Sequence, residues 1–490
     1  MKFLIDTNVL IRLEPTAPQA VEAGTQVAID LVRLIFEGGH QCCIHPASLL
    51  DIASDRDEGR RRLREALAGK YPELPSPPRV QSQILRELGR PVSGSHDAID
   101  FQLLAAVLGD AVDYFVTDDH ALLRKARRVG IGDRVLFPAD TLATLRGLSL
   151  RFPETPPAVR QVYAHELNEN DPIFESFRED YPDFDDWFRR CKRDHRTSWV
   201  IEQAGWLAAV SIIKEEGDRE HGLPGRLLKV CSFKVSDLAR GRRYGELLLK
   251  PIFSYAFGNS YDHVYLTIFP KYAELIDLLE DFGFQILPAR TDKGELILAK
   301  PLKFGSRDVE TLSALDFHIR FGPRYVRAKD VFCVPIRPEY HDMLFPEFAA
   351  QQSLFGTRSA FGNSILKAYL CHSQTRQLTP GSVVLFYQSG VEAAVRCLGV
   401  VEATLVSTVP VELVHFVGQR TVYSLREIES MCRRREVLAV LFRQASGVIT
   451  QPITMDDLLT CGALTAAPQS ITRIRAEGLG WIRDQIELSP

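Results

Sequence analysis

The sequence predicts a multidomain α/β chain, and three observations predict it. Residues 1–150 alternate short apolar runs with helix-period patterns, as folds built on a parallel sheet do. Two of those runs end in acids: Phe3-Leu4-Ile5 leads into Asp6-Thr7-Asn8, and Tyr114-Phe115-Val116 into Thr117-Asp118-Asp119. Residues just past the carboxyl ends of buried parallel strands face the crevice where such sheets bind ligands. Finally, Pro-rich Phe152-Pro153-Glu154-Thr155-Pro156-Pro157 and a joint near Gly305 divide the chain into blocks 1–150, 158–302 and 316–490. The joints are short, which predicts compact packing of the blocks.

The bulk numbers narrow the function classes. A length of 490 residues suggests two to four domains, and 45% apolar with 25% charged residues is ordinary for a globular protein. The formal net charge of −4 gives no global attraction to nucleic acid, so such binding falls to local basic patches. Nine cysteines are scattered with no Cys-x-x-Cys, which predicts a reducing, cytoplasmic compartment without structural zinc. The N-terminus enters a strand directly and no apolar run approaches membrane-spanning length, so neither a signal peptide nor a membrane partner is expected.

In the first block, the strand at Phe3–Ile5 delivers Asp6. Ile44-His45-Pro46-Ala47-Ser48-Leu49-Leu50-Asp51 reads as a strand end entering a helix, and Tyr71-Pro72-Glu73-Leu74-Pro75-Ser76-Pro77-Pro78 as a loop. Asp100-Phe101-Gln102-Leu103-Leu104-Ala105-Ala106 precedes the strand that ends near Asp119. Asp6, Asp51, Asp100 and Asp119 in one crevice repel each other unless a hard cation lies between them. The pattern therefore predicts Mg²⁺ or Mn²⁺ and metal-assisted phosphodiester hydrolysis. The plain alternative is a Rossmann-like domain with solvated acids at its strand ends.

These motifs resemble PIN-domain nucleases over nearly the whole block. The resemblance implies a PIN-like (Rossmann-like) parallel sheet and an endoribonuclease. It places metal ligands at Asp6, Asp100 and Asp119, supported by Asp51 where the family usually has Glu. Asp97 competes with Asp100, which the spacing to Thr117 and Asp119 favours. Thr117 and Asn8 are expected to orient ligands.

The second block reads helical first and strand-rich next, with strands at Trp206–Ile213, Leu227–Val235, His263–Phe269 and Glu295–Ala299. After Phe233-Lys234-Val235 comes Arg240-Gly241-Arg242-Arg243-Tyr244-Gly245, a Gly-containing turn opening a helix. Such a helix N-terminus offers free N–H groups and its positive dipole end to phosphates. With the later Asp281-Phe282-Gly283-Phe284, this order resembles GNAT acyl-CoA N-acyltransferases. The resemblance implies that acetyl-CoA (or CoA) is held by Arg240 to Gly245 and by backbone groups of Phe233 and Val235. Arg243 stands where Gly is usual, and Leu278 and Leu279 occupy the place of a proton-donating Tyr. Tyr265 and Tyr272 are nearby but off pattern.

The third block carries β-rich runs at Val331–Ile336, Ser382–Tyr387 and Val395–Val401, and a helix at Ser424–Arg433. Lys367, Pro380-Gly381-Ser382-Val383-Val384-Leu385-Phe386-Tyr387 and Gly399-Val400-Val401-Glu402 together resemble the PUA-like superfamily, particularly ASCH and EVE members. That implies a small, partly open β-barrel binding RNA or modified bases. Arg320, Arg324, Arg327, Lys367, Arg433 and Arg434 are the candidate nucleic-acid contacts, since basic groups hold phosphates while nearby rings stack bases.

Together the resemblances imply a ribonuclease fused to an acyl-CoA-binding domain and an RNA reader, acting on RNA such as tRNA. PIN and GNAT domains recur in bacterial toxins, which makes a toxin or defence effector the family-level expectation, with an antitoxin or a homo-oligomer as partner. Two other readings stand beside it. One is an acetyltransferase of RNA, aminoacyl-tRNA or protein that docks through the first block. The other is a nucleic-acid-binding sensor with both chemistries lost.

Overall fold

A computed structural model describes residues 1–13, 23–53, 57–92, 94–149, 158–203, 205–217, 220–239, 243–348, 364–390 and 393–488. The first sheet contains β1 (Lys2–Ile5), β2 (Gln41–Cys43), β3 (Tyr114–Val116) and β4 (Val135–Leu136) in the order 2-1-3-4. All its neighbours are parallel. Strands buried on both faces read as unbroken apolar runs, as Phe3-Leu4-Ile5 does. The order reverses between β1 and β3, and Asp6 and Thr117 stand at that switch point, where the N–H of Asp6 donates to the carbonyl of Val116 at 2.9 Å.

The second sheet contains β5 (Val159–Tyr163), β6 (Thr197–Gln203), β7 (Trp206–Glu216), β8 (Leu227–Val235), β9 (His263–Ile268), β10 (Gln285–Arg290) and β11 (Leu296–Pro301). Its order is 10-11-9-8-7-6-5. Only β8 and β9 run parallel, and they pair over just three couples, Leu227–Lys229 against His263–Tyr265. Beyond Lys229 the two strands part. This block opens on a strand, where the sequence predicted a helix. β5 is an edge strand whose only buried residue is Val162, so it lacks the apolar alternation that marks a half-buried strand.

The third sheet contains β12 (Val331–Ile336), β13 (Leu366–Cys371), β14 (Val383–Gln388), β15 (Ala394–Ser407), β16 (Val437–Ala445), β17 (Ile453–Thr454) and β18 (Thr472–Arg473). The path is 13-16-15-14-12-18, with β17 on β15, and β12 runs parallel to β14. Where a partly open barrel was expected, the described pairings form an open path from β13 to β18. A bulge between Val401 and Ala403 of β15 breaks the register along β16.

The blocks do not stand apart. One apolar core runs from Phe3, Val9 and Leu145 into Phe345, Val417 and Phe442. Tyr114 of β3 meets the His415 ring edge-on at 4.6 Å. No helix among the described residues is long and apolar enough to cross a membrane.

Candidate functional site

Where β8 and β9 part, a cavity of about 960 Å³ opens. Val230 to Val235 of β8 form one wall and Leu266 to Ile268 of β9 another. Helix Tyr244–Gly258 aims its N-terminus into the space from behind Arg243, whose φ of 55° lets the chain turn sharply into the helix. The unpaired N–H groups and the dipole of this first turn favour an anion. Phe233, Val235, Arg243, Tyr244 and Gly245 all line the cavity, so the structure brings these predicted residues together. Arg240, Gly241 and Arg242 lie outside the described residues.

Local packing explains the helix start. A Cβ on Gly245 would lie 2.7 Å from Leu278 Cδ2, so Gly lets this helix seat closely on helix Ala273–Asp281. Arg243 Nη1 donates to Glu246 Oε2 at 3.0 Å, which pairs the side chain that departs from the family pattern. Ser232 Oγ is buried without a hydrogen-bond partner, an orphan polar atom in the cavity wall. A parted strand pair, an open helix N-terminus and an orphan hydroxyl fit a long polar-and-apolar ligand with phosphates at one end.

Asp180, Tyr181 and Tyr272 also line the cavity, with Tyr272 just before helix Ala273–Asp281. The Tyr272 hydroxyl donates to Asp180, and Lys271 pairs with the same carboxylate. Burial, then the hydrogen bond to Asp180 and its charge, raises the Tyr272 pKa, so its hydroxyl keeps its proton. Leu279 is buried core while Leu278 faces the cavity, so neither supplies a hydroxyl. The remaining wall comes from other blocks, including His120, Arg124 and Arg127 from the first, and Glu402, Arg420 and Arg443 from the third. The sequence reading missed these residues, because no local motif links them to the turn. Arg443 alone left a trace, as a charge directly following the apolar run Val437-Leu438-Ala439-Val440-Leu441-Phe442.

Residues 161–284 match the model of the acetyltransferase (GNAT) family. This segment is a GNAT acetyltransferase domain. Among solved structures, the chain is similar to the ASCH protein from Zymomonas mobilis at 15% identity, covering 33% of this chain and 98% of that one, with a TM-score of 0.23. It is similar to an IAA acetyltransferase from Bacillus cereus at 13% identity, covering 30% and 99%, with a TM-score of 0.24. A ribosomal-protein-alanine N-acetyltransferase from Brucella melitensis gives 18% identity, 30% and 99% coverage and a TM-score of 0.24. No curated protein matches the chain.

The carboxylates of the first block partly converge. Asp6 Oδ2 accepts from Thr117 Oγ1 at 2.5 Å and Oδ1 from the N–H of Thr7 at 2.7 Å. Asn8 Nδ2 donates to Thr117 Oγ1 at 3.3 Å. Burial pushes Asp6 up to about 6 against those hydrogen bonds, and the charges of Asp100 and Asp119 push the same way. Asp119 caps helix His120–Val129, its Oδ1 accepting from Ala121 and Leu122. Asp51 lies in helix Pro46–Ala53, with its side chain outside the described structure.

Lys125 stands beside the two candidates for the third acid. Its Nζ lies 2.7 Å from Asp100 and 2.5 Å from Asp97, so both candidates for the third acid share one ammonium. Burial raises Asp100, and the Lys125 hydrogen bond opposes that rise. Among the described residues, no three His, Cys, Asp or Glu side chains form a group able to hold a metal ion. Lys125 thus supplies a countercharge to Asp97 and Asp100, while Asp6 and Asp119 take hydrogen bonds from Thr117, Thr7, Ala121 and Leu122.

The basic candidates of the third block are dispersed. Arg320 lies over the Phe321 ring at 5.6 Å, and Arg327 Nη1 donates to the Leu312 carbonyl at 2.8 Å. Arg324 is half-buried in the segment after helix Ala314–Phe321. Arg433 and Arg434 close helix Leu425–Arg434, with Arg433 exposed and 3.9 Å from Glu429. Lys367 is 0% exposed, and its Nζ donates to the Leu344 carbonyl at 2.8 Å. This corrects its expected role at an RNA surface. Burial pulls Lys367 down to about 7, against the opposing charge of Glu347.

Proposed function

We propose that the chain is an acetyl-CoA-dependent N-acetyltransferase whose donor occupies the cavity between β8 and β9. The observation that carries this reading is the parting of these strands opposite the N-terminus of helix Tyr244–Gly258, inside the segment that matches the GNAT family. Bound acetyl-CoA supplies an activated thioester to an amine nucleophile. Backbone groups of Phe233 and Val235 align the arm, and the N–H groups behind Arg243 face the phosphates. Tyr272 holds a proton at its hydroxyl for the leaving sulfur, in place of the tyrosine absent at Leu278 and Leu279. Overall a C–N bond forms, the C–S bond breaks, the amine loses one proton and the thiol gains one. The test is acetyl transfer from labelled acetyl-CoA to amine pools of RNA, aminoacyl-tRNA and protein. Label in one pool with stoichiometric thiol release supports the reading; no transfer and no donor binding refutes it.

A second reading keeps the first block as a PIN-type ribonuclease, with the third block guiding RNA through Arg433, Arg434 and the Arg320–Arg327 run. The electrostatic coupling of Asp6, Asp100 and Asp119 at the switch point favours it. The clamp of Lys125 on Asp100 weighs against it. Cleavage of single-stranded RNA with Mn²⁺, abolished by Asp6→Asn, supports this reading, and intact RNA under every divalent metal removes it.

A further inference from the structure

The cavity does not end within residues 161–284. Its far wall belongs to the neighbouring blocks, and most charges there are already engaged. Arg443 Nε donates to Glu402 Oε2 at 2.7 Å and its Nη1 to the Asp281 carbonyl at 2.7 Å. Arg127 Nη1 meets Asp277 Oδ2 at 2.5 Å. Arg420 differs. It ends the turn Gly418–Arg420 of the third block, lines the cavity, and has a buried Nε with no hydrogen-bond partner.

The surroundings of Arg420 sharpen the point. Burial pulls its guanidinium down to about 10, and the like charge of Arg243 acts the same way. Glu246, Asp133 and Glu402 act against that shift. Glu246 is already held by Arg243 and by the N–H of Leu366, and Glu402 by Arg443. Two guanidinium groups converge at the first turn of a helix, and one of them carries an unsatisfied buried N–H. Such an arrangement costs free energy unless an anion joins them, and phosphate suits guanidinium donors.

We propose that Arg420 binds the nucleotide phosphates of acyl-CoA, so that the third block completes the donor site of the second. This rests on the acetyl-CoA reading. The pyrophosphate and the 3′-phosphate share the chemistry that Arg420 would recognise. The donor site is then a property of the whole chain, and the third block is a wall of the enzyme as well as an appended module.

The experiment is calorimetric titration of the full chain with CoA, dephospho-CoA and pantetheine. Arg420→Gln is expected to weaken CoA at least tenfold and leave pantetheine unchanged. If the loss vanishes with dephospho-CoA, the partner is the 3′-phosphate; if it persists, the pyrophosphate. Both outcomes support the proposal. Arg420→Met, which keeps the stem, gives the same ranking should the Gln variant fail to fold. Unaltered CoA affinity in a folded variant overturns the proposal while leaving the acetyl-CoA reading intact. Wild-type chain that binds no CoA removes both.

Discussion

The N–H of Leu366, at the head of β13, donates to Glu246 Oε1 at 2.7 Å, and the other oxygen of that carboxylate accepts from Arg243. One buried side chain thus fixes the helix that opens the cavity against the third sheet and also holds the cation at its mouth. Glu246→Ala leaves a buried N–H and a guanidinium without their acceptor. A loss of about 2–4 kcal/mol in denaturant unfolding is expected, with weaker CoA binding. Glu246→Gln keeps an acceptor for Leu366 and loses less. Equal stability of the Ala variant and the parent chain would contradict this account.

Tyr272 is assigned the proton for the leaving thiol because its hydroxyl lines the cavity and stays protonated. Tyr272→Phe is expected to lower kcat on the order of a hundredfold with the KM for acetyl-CoA little changed. A rise in KM at constant kcat would make Tyr272 a binding residue only.

Asp6 gives a pH signature. Its folded-state pKa is raised to about 6 by burial, against an ordinary 3.8. A raised acid favours folding while protonated; that contribution is full below about pH 4 and is lost as pH rises through about 6. Asp6→Asn removes the buried charge. The variant is expected to be more stable than wild type at pH 7.5 by about 1–3 kcal/mol, with the gap closing toward pH 4. Thermal midpoints across that window check the sign, and a gap that widens on acidification would refute it.

Arg443 joins three elements. It bonds Glu402 of β15 and the carbonyl of Asp281, and lies over the Phe282 ring at 5.3 Å. Arg443→Met is expected to cost about 2–4 kcal/mol, because Glu402 and a carbonyl lose their donor together. Guanidinium chloride unfolding measures it, and a neutral result would show that the contact is dispensable.

The sequence was most legible where one run carried its own signal. Leu227–Val235 and Val331–Ile336 are strands over the predicted bounds, since buried apolar runs bounded by turns state their own limits. β5 and β16 were missed for opposite reasons. One is a polar edge; the other, Val437–Ala445, follows closely on a helix end whose Arg433 and Arg434 mask the start of its apolar run. At the site, Phe233, Val235, Arg243 and Gly245 could be found because a strand, turn and helix are consecutive in the chain. Arg127, Arg420 and Arg443 could not, because only tertiary packing brings three blocks to one cavity. Lys125 was hidden likewise: it lies 25 residues from Asp100, and the helix packing that joins them leaves no local pattern.

The most direct test of the central claim is calorimetric titration of acetyl-CoA into the full chain. The account predicts saturable binding with one molecule per chain, weakened when the cavity is filled by Gly245→Trp in a folded variant. A folded wild-type chain that takes up no acetyl-CoA would contradict it.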